Sequence, residues 1–326
     1  MDHIQFPYRS HSHLVLMHVI QESGAWARHG LEVEYEKQIS REDAHKYVPT
    51  GEIEFVSGNH VSTYAARARG DTWTYVGQSM SNNYVGLVVR GDSDIEKLSD
   101  LRHRKVGARG NHPYLNTWLY LKQAGLDADK DEIELVRRPH DPDPSQRRKS
   151  LVDMVRDNDV DACMLSRPNA DLAKREGFKV IDLDPQHMIF YMTMSTSKKM
   201  VDEKPDVIER TLKAIMEGIA YFKINREATL KILMDKYSND GKLPRDIAER
   251  LYDDVAPKLD PRLIPSMRSI SNVYQEALKQ DEKNGDAKNI HPLALWDFHF
   301  IRKIEDSGFL RNLYKDHPHL LLGHGG

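Results

Sequence analysis

Short apolar runs alternate with amphipathic, helix-like stretches along much of the chain. The runs Ile4–Tyr8, Leu31–Tyr35 and Lys105–Ala108 have the length and composition of strands, and apolar residues at helical spacing follow the first and the third of them. Alternation of this kind is typical of domains in which helices connect parallel strands. The pattern therefore predicts an α/β fold.

Two longer extended stretches, Gln78–Arg90 and His187–Ser195, mark where the chain is expected to pass between two lobes. Around the first, strands Trp73–Gln78 and Tyr84–Arg90 are predicted to flank a polar turn, Ser79–Asn83. After the second, the pattern is almost entirely helical. We therefore predict a discontinuous lobe 1 (residues 1–88 plus 192–326, with the C-terminal helices), an inserted α/β lobe 2 (residues 89–191) and a hinged cleft between them.

The composition carries no global charge bias. Among 326 residues, 47 Lys and Arg stand against 50 Asp and Glu, a formal net charge of −3, so no general basic surface is expected to bind nucleic acid or an anionic membrane. No apolar run of about 18 residues predicts a membrane span. The N-terminus lacks the pattern of a secretory signal peptide, which favours a cytoplasmic location, or a periplasmic one if a leader has been removed.

Several kinds of chemistry find no support in the sequence. The one cysteine, Cys163, lies in the apolar run Val160–Leu165 and is expected to be a buried, unreactive thiol. The motifs GxGxxG, GxxxxGK[ST] and GxSxG do not occur, which argues against dinucleotide binding, a phosphate-binding loop and a hydrolase nucleophile elbow. No cofactor is expected.

Polar residues follow the predicted strands at the points where open α/β sheets bind their ligands. Arginines, histidines and helix N-termini directed at one cavity would suit a carboxylate, sulfonate or sulfinate. The candidate substrate-binding residues are Arg9, Ser10, His13, Asn59, Ser79, Asn82, Tyr84, Arg109, Asn111, His112, Ser166, Arg167 and Tyr191. Arg109 with Asn111 is the expected anion clamp, and His11 and His60 are the candidate catalytic acid–base residues.

A purely structural role stays open for several of these residues. Each arginine could pair with a surface acid, His11 and His13 could cap the following helix, and His112 could be a turn residue before Pro113. A metal ion bound by His11, His13 and His60 is a further alternative, but no acid is placed as an obvious additional ligand.

Three stretches resemble a known superfamily. The segment His13–Glu34, with its ESG turn and HGLEV ending, resembles the opening of the type II solute-binding proteins for nitrate, sulfonates and taurine. Asp100–Gly107 resembles the DLRGKKVG entry to their second lobe, with His103 in place of the usual glycine, and Ala65–Gly70 is similar to the thiamin-pyrimidine synthase branch. The resemblance covers most of residues 4–222 and implies a two-lobed, type II periplasmic-binding-protein-like fold with an interlobe cleft.

The superfamily contains transporter receptors and cytosolic enzymes that use the same cleft. The start without a leader and the loop histidines favour a cytosolic enzyme, a decarboxylase or related lyase, acting on a small anionic organic acid that is expected to be aromatic. The loop that corresponds to the one with the desulfinase's reactive cysteine carries His11 and no cysteine, and residues 187–193 lack the cysteines of the pyrimidine synthases, so neither of those reactions is expected. The alternative is a substrate-binding protein of an ABC transporter for nitrate-, sulfonate- or taurine-like or aromatic anions, with the ABC permease as its partner.

Overall fold

The structure, a computed structural model, describes residues 1–108, 111–137, 149–237 and 242–321, with side chains except at 111–113 and 168. The chain divides into two compact units. Unit 1 comprises Met1–Asn82 and His187–Gly326, and unit 2 comprises Asn83–Gln186. The predicted lobe 2, residues 89–191, begins and ends later than unit 2. The difference at its start arises because the prediction cut through strand β5 (Val85–Val89), which pairs along its whole length within the sheet of unit 2.

Unit 1 contains two small sheets. Its strands are β1 (Asp2–Gln5), β2 (Leu31–Glu34), β3 (Val56–Ser57), β4 (Trp73–Asn83) and β10 (Gln186–Ser197), of which the last two extend one residue beyond the unit. Strand β1 pairs with β2 in parallel, and β3, β10 and β4 form a three-stranded sheet in that order, with β10 antiparallel to β3. Tyr8 continues this framework through parallel bridges to Gln38 and Ser57. These bridges bring the loop after β1 to the end of β3.

The helices of unit 1 surround a core centred on α1 and α9. They are α1 (Leu14–Glu22), α2 (Ala25–Arg28), α3 (Arg41–Tyr47), α4 (Thr63–Ala68), α8 (Lys198–Glu203), α9 (Pro205–Ile224), α10 (Arg226–Lys236), α11 (Arg245–Val255), α12 (Met267–Gln280), α13 (His299–Asp306), α14 (Phe309–Leu313) and α15 (Pro318–Leu321). In α9, apolar residues recur every three or four positions, and Ile208, Leu212 and Ile215 are fully buried. Each such side chain contributes roughly 1.5–3 kcal/mol of burial free energy. Gly218 lets α1 approach α9, because a Cβ there would overlap Ile20.

Strand β4 corrects the predicted turn at residues 79–83. It runs without interruption from Trp73 to Asn83. The side chain of Gln78 donates to the Phe190 carbonyl over 2.6 Å, and the Ser79 hydroxyl donates to the Met192 carbonyl over 2.9 Å. Polar residues can therefore belong to a strand here, because carbonyl groups of the neighbouring strand accept hydrogen bonds from Gln78 and Ser79.

Unit 2 has one five-stranded sheet. Its other strands are β6 (Lys105–Ala108), β7 (Glu134–Arg137), β8 (Ala162–Ser166) and β9 (Lys179–Asp182), and its helices are α5 (Asn111–Gln123), α6 (Leu151–Arg156) and α7 (Arg167–Arg175). The strand order is β7-β6-β8-β5-β9, with β6 parallel to β7 and β8, and β5 antiparallel to β8 and β9. Cys163 lies fully buried in β8, and burial raises the pKa of its thiol to about 12, which is consistent with an unreactive cysteine.

No helix within the described ranges has both the length and the apolar character needed to cross a membrane.

Candidate functional site

Arg9, in the loop after β1, lies next to the end of strand β3 in unit 1. Its backbone N–H donates to the Ser57 carbonyl over 3.1 Å. The Arg9 Nε donates to Asn59 Oδ1 over 3.1 Å, and Nη1 donates to the Ile39 carbonyl. The Arg9 side chain is partly buried, and both of these hydrogen-bond partners are neutral oxygens.

Among the described residues, the charge of Arg9 has no direct counter-ion. Within the described ranges, no carboxylate lies within ion-pair distance of its guanidinium. Burial lowers the pKa of Arg9, and the more distant charge of Glu42 opposes that effect. An arginine stays protonated at neutral pH, since its ordinary pKa lies far above neutrality. Arg9 therefore presents a partly desolvated positive charge that a ligand anion could neutralise.

His13 lies on the other side of the same loop. It ends a single 3-10 turn, His11–His13, that precedes α1, and only 4% of its surface is exposed. Its Nδ1 lies 2.8 Å from the Ser57 hydroxyl oxygen, so the ring does not cap α1 as one alternative suggested. Burial lowers the pKa of His13 to about 3, which leaves the ring neutral at physiological pH.

Gly58 and Asn59 shape the backbone between these side chains. Gly58 has φ +110°, and a Cβ there would lie 3.1 Å from Arg9 Cβ and 3.3 Å from His13 Cε1. Asn59 also adopts a positive φ, 64°, which asparagine tolerates better than most residues. Its Nδ2 is buried and donates no hydrogen bond to the part of the chain that the structure describes. We call this group, consisting of Arg9, His13, Ser57, Gly58 and Asn59, the Gly58 cradle.

His60 lies beside the Gly58 cradle in a polar network. Its Nδ1 is 3.2 Å from the Thr193 hydroxyl, which in turn donates to Gln78 Oε1 over 2.5 Å. The Ser195 hydroxyl donates to the Gly58 carbonyl over 2.7 Å. Strand β10 thus contacts His60 and the Gly58 backbone through the hydroxyl groups of Thr193 and Ser195. His60 is only 8% exposed.

Aromatic side chains border the cradle. His11 is exposed, and its Nδ1 lies 3.1 Å from the hydroxyl of Tyr237 at the end of α10. The Tyr191 hydroxyl donates to the Ser12 carbonyl over 2.8 Å, and the Tyr191 ring centroid lies 5.3 Å from that of His13. Ser10, also predicted to bind substrate, is exposed and contacts the Ser12 hydroxyl at 2.9 Å.

The remaining candidates lie elsewhere. Ser79 is buried in β4, and Asn82 lies near the end of that strand with its Oδ1 buried. In unit 2, the Arg167 guanidinium makes a 2.6 Å ion pair with Asp182, the role considered for a surface arginine. Its backbone N–H donates to the Tyr84 carbonyl over 3.3 Å.

The predicted anion clamp, Arg109 with Asn111, belongs to unit 2. Arg109 lies outside the described residues, as do the side chains of Asn111 and His112, whose backbones begin α5. Ser166 precedes α7 and accepts a 3.0 Å hydrogen bond from Asn169 Nδ2. Both of these residues line a cavity of about 1130 Å³ within unit 2.

Sequence reasoning did not identify Ser57, Gln78, Thr193 or Tyr237. Ser57 and Gly58 follow a predicted strand, so the strand-end rule could have included Ser57. Thr193 and Gln78 lie within strands, where a polar residue is no signal of a site. Tyr237 lies 226 residues from His11, and no spacing rule connects the two.

The arrangement of the histidines does not support the metal alternative. The structure provides no group of three potential His, Cys, Asp or Glu ligands over the residues that it describes. His11, His13 and His60 each direct Nδ1 at a different hydroxyl group.

Comparisons with solved structures give the fold. A putative periplasmic sulfonate-binding protein, SsuA, from Methylobacillus flagellatus KT is 15% identical, with a TM-score of 0.67 over 95% of this chain and 96% of that chain. The periplasmic aliphatic sulphonate-binding protein SsuA from Escherichia coli is 17% identical, with a TM-score of 0.63 over 89% and 91% of the two chains. A mutant of the desulfurization enzyme DSZB in complex with biphenyl-2-sulfinic acid is 16% identical, with a TM-score of 0.57 over 94% and 99%. These similarities establish the predicted two-lobed periplasmic-binding-protein-like fold.

The same comparisons overturn the expectation of a lyase. Sulfonate-binding transport proteins superpose on this chain with higher TM-scores than the desulfurization enzyme does. They also leave the expected cytoplasmic location without support, because these neighbours are periplasmic proteins. The acid–base roles expected of His11 and His60 depended on that enzyme and are withdrawn with it.

Sequence comparison gives the family. No curated protein matches the chain. The family model described as NMT1/THI5 like matches residues 13–228, which is more than half of the chain. The chain therefore belongs to the NMT1/THI5-like family.

Proposed function

We propose that this chain is a substrate-binding protein of an ABC transporter and that the Gly58 cradle binds the negatively charged group of a small organic anion. The single observation that carries the proposal is the partly buried guanidinium of Arg9, whose hydrogen bonds go to Asn59 and to the Ile39 carbonyl and not to an acid. A cation in this state gains most from a bound anion, because the ligand supplies the missing counter-charge in a partly desolvated environment.

The neighbouring groups of the cradle can add donors for the same anion. The buried Nδ2 of Asn59 has hydrogen-bonding capacity to spare among the described residues. If the Ser57 hydroxyl donates to His13 Nδ1, the neutral ring carries its proton on Nε2 and can donate from there. Arg9 Nη2 is a third potential donor. Three N–H groups around one positive charge match the three oxygens of a sulfonate.

The similar structures add support for the transport role. The two SsuA proteins are named for sulfonate binding in the periplasm, and the present chain combines their fold with an anion cradle of its own. A sulfonate is ionised at every physiological pH, so a site that offers a fixed arginine and a neutral histidine does not need to take up a proton to bind it.

Isothermal titration calorimetry with ethanesulfonate, and with uncharged diethyl sulfone as the comparison ligand, tests the proposal. We expect the sulfonate to bind and the sulfone to bind at least tenfold more weakly. Arg9→Met should lower sulfonate affinity about 10- to 100-fold, because a hydrogen bond to a charged group contributes about 1.5–3 kcal/mol. Arg9→Lys should fall between, since it keeps the charge and loses the planar fork.

The matched control is Arg69→Met, which removes an exposed arginine that is ion-paired to Asp286 over 2.8 Å. It should leave the affinity unchanged. Thermal unfolding of both variants shows whether they are folded. Chromatography of the ligand after long incubation should return it unaltered. Wild-type affinity in a folded Arg9→Met variant would refute the role of the cradle.

A further inference from the structure

Four aromatic rings of unit 1 form a connected group beside the Gly58 cradle, which we call the aromatic rim: Tyr8, His11, Tyr191 and Tyr237. The ring centroids of Tyr8 and His11 are 6.3 Å apart with their planes at 85°, and those of His11 and Tyr237 are 4.8 Å apart at 44°. Burial raises the pKa of Tyr191 well above its ordinary value, and the nearby Tyr237 hydroxyl adds a smaller increase, which places the two side chains close together. Rings at these separations interact through their quadrupoles.

The rim is continuous with the cradle at both ends. Tyr8 directly precedes Arg9, and Tyr191 contacts the ring of His13 edge to face, at 5.3 Å and 70°. Arg9 and His13 in turn flank Gly58. The aromatic surface therefore begins where the charged and hydrogen-bonding groups end, so that one ligand can contact both.

Tyr191 adopts a strained backbone that serves this arrangement. It has φ +67° within strand β10, a conformation that is unusual for a bulky side chain and costs on the order of 1–3 kcal/mol. Its hydroxyl donates to the Ser12 carbonyl, which fixes the ring against His13. Backbone strain of this kind is characteristic of ligand-contacting positions.

The rim is accessible to a ligand. His11 is exposed, and Tyr191 and Tyr237 are partly exposed, whereas Tyr8 is 8% exposed. The buried Tyr8 packs edge to face against the ring of His11. An accessible group of aromatic faces lies next to an arginine that has no counter-ion in the part of the chain that the structure describes. Such a surface is complementary to a molecule with one flat apolar part and one negative charge.

We propose that the anion bound by this protein carries a planar aromatic group, which the aromatic rim holds while the Gly58 cradle binds the charge. The inference rests on the proposed function, since it names the substrate class for the same site. An aliphatic anion of equal size would bury a similar apolar area against these rings but would lack the edge-to-face and stacking contacts available to an aromatic ring.

Calorimetric titrations with benzenesulfonate and cyclohexanesulfonate, two ligands of the same charge and similar size, test the inference. We expect the wild type to bind benzenesulfonate about 5- to 10-fold more tightly. Tyr237→Leu and His11→Leu should each reduce this preference to about twofold or less, while the affinity for cyclohexanesulfonate stays within about threefold. Tyr47→Leu, a change in α3 away from the rim, should leave the preference intact.

The possible results separate the inference from the proposed function. Equal affinity for the two ligands, or a preference that survives in both rim variants, overturns the inference and leaves anion binding standing. If neither of the two ligands binds, the proposed function and the inference are both overturned. The use of two rim variants guards against a single substitution that disturbs folding.

Discussion

Replacing His13 by asparagine should make the free energy of unfolding of unit 1 depend less on pH at acid pH. The His13 ring is 4% exposed, and burial lowers its pKa from 6.5 to about 3. The unfolded chain therefore binds a proton between these values that the folded chain does not bind, so the free energy of unfolding falls as the pH falls through this window. Asparagine can keep a hydrogen bond to Ser57 and does not titrate.

The size of the effect follows from the two pKa values. Between pH 6.5 and pH 4.5, proton uptake by the unfolded state should cost the wild type about 2 kcal/mol relative to His13→Asn. Urea denaturation at a series of pH values, followed by tryptophan fluorescence, measures it. Three of the four tryptophans, Trp26, Trp73 and Trp296, lie in unit 1, so the signal reports mainly on that unit.

The control is His319→Asn, which removes an exposed histidine near the C-terminus. Its profile should run parallel to that of the wild type. If the His13→Asn profile is also parallel to that of the wild type, His13 titrates normally in the folded protein, and the reasoning that makes it a neutral member of the cradle is wrong.

Three further predictions concern residues whose surroundings differ sharply. Gly58→Ala should destabilise the protein by about 1–3 kcal/mol and weaken sulfonate binding, whereas Gly70→Ala, with a similar φ of +105° and no atom near the added methyl group, should cost stability alone, as denaturation and calorimetry can show. Burial raises the pKa of Asp260 to about 6, so the folded wild type holds a proton that the unfolded chain releases. Relative to Asp260→Asn, its free energy of unfolding should therefore rise by up to about 2 kcal/mol from pH 7 to pH 4, and a difference that falls instead would contradict this assignment. Gly218→Ala should cost about 1–3 kcal/mol in denaturation experiments, and a double variant that also carries Ile20→Ala should cost less than the sum of the two single changes, because the added methyl group overlaps Ile20 Cγ1, which alanine lacks.

The regular elements could be predicted where the sequence pattern had one physical cause. The apolar positions of α9 recur at helical spacing because one face packs into the core, and β6 was predicted with its observed bounds, Lys105–Ala108. The polar residues 79–83 misled the prediction, because the carbonyl groups that accept hydrogen bonds from Gln78 and Ser79 belong to β10, more than a hundred residues away. Local sequence carries no information about such partners.

Part of the site could be predicted for a similar reason. Arg9, His13 and Asn59 follow strands, and the parallel bridge between Tyr8 and Ser57 brings their loops together. The state of the histidines could not be predicted, because it depends on burial: His13, which was expected to bind substrate, is buried and neutral, with its Nδ1 2.8 Å from the Ser57 hydroxyl. Abundant histidines in loops therefore favoured a lyase, an expectation that the comparisons contradict.

The connectivity of the two units has a practical consequence. The chain leaves unit 1 along β4 and returns along β10, and these two strands are adjacent in the sheet of unit 1. A short linker that joins Asn82 to His187 in place of unit 2 would therefore leave the strand order of unit 1 unchanged. The removed segment would contain a complete five-stranded sheet. Expression of each unit as a separate recombinant protein would test whether it folds alone and would measure its own contribution to ligand binding.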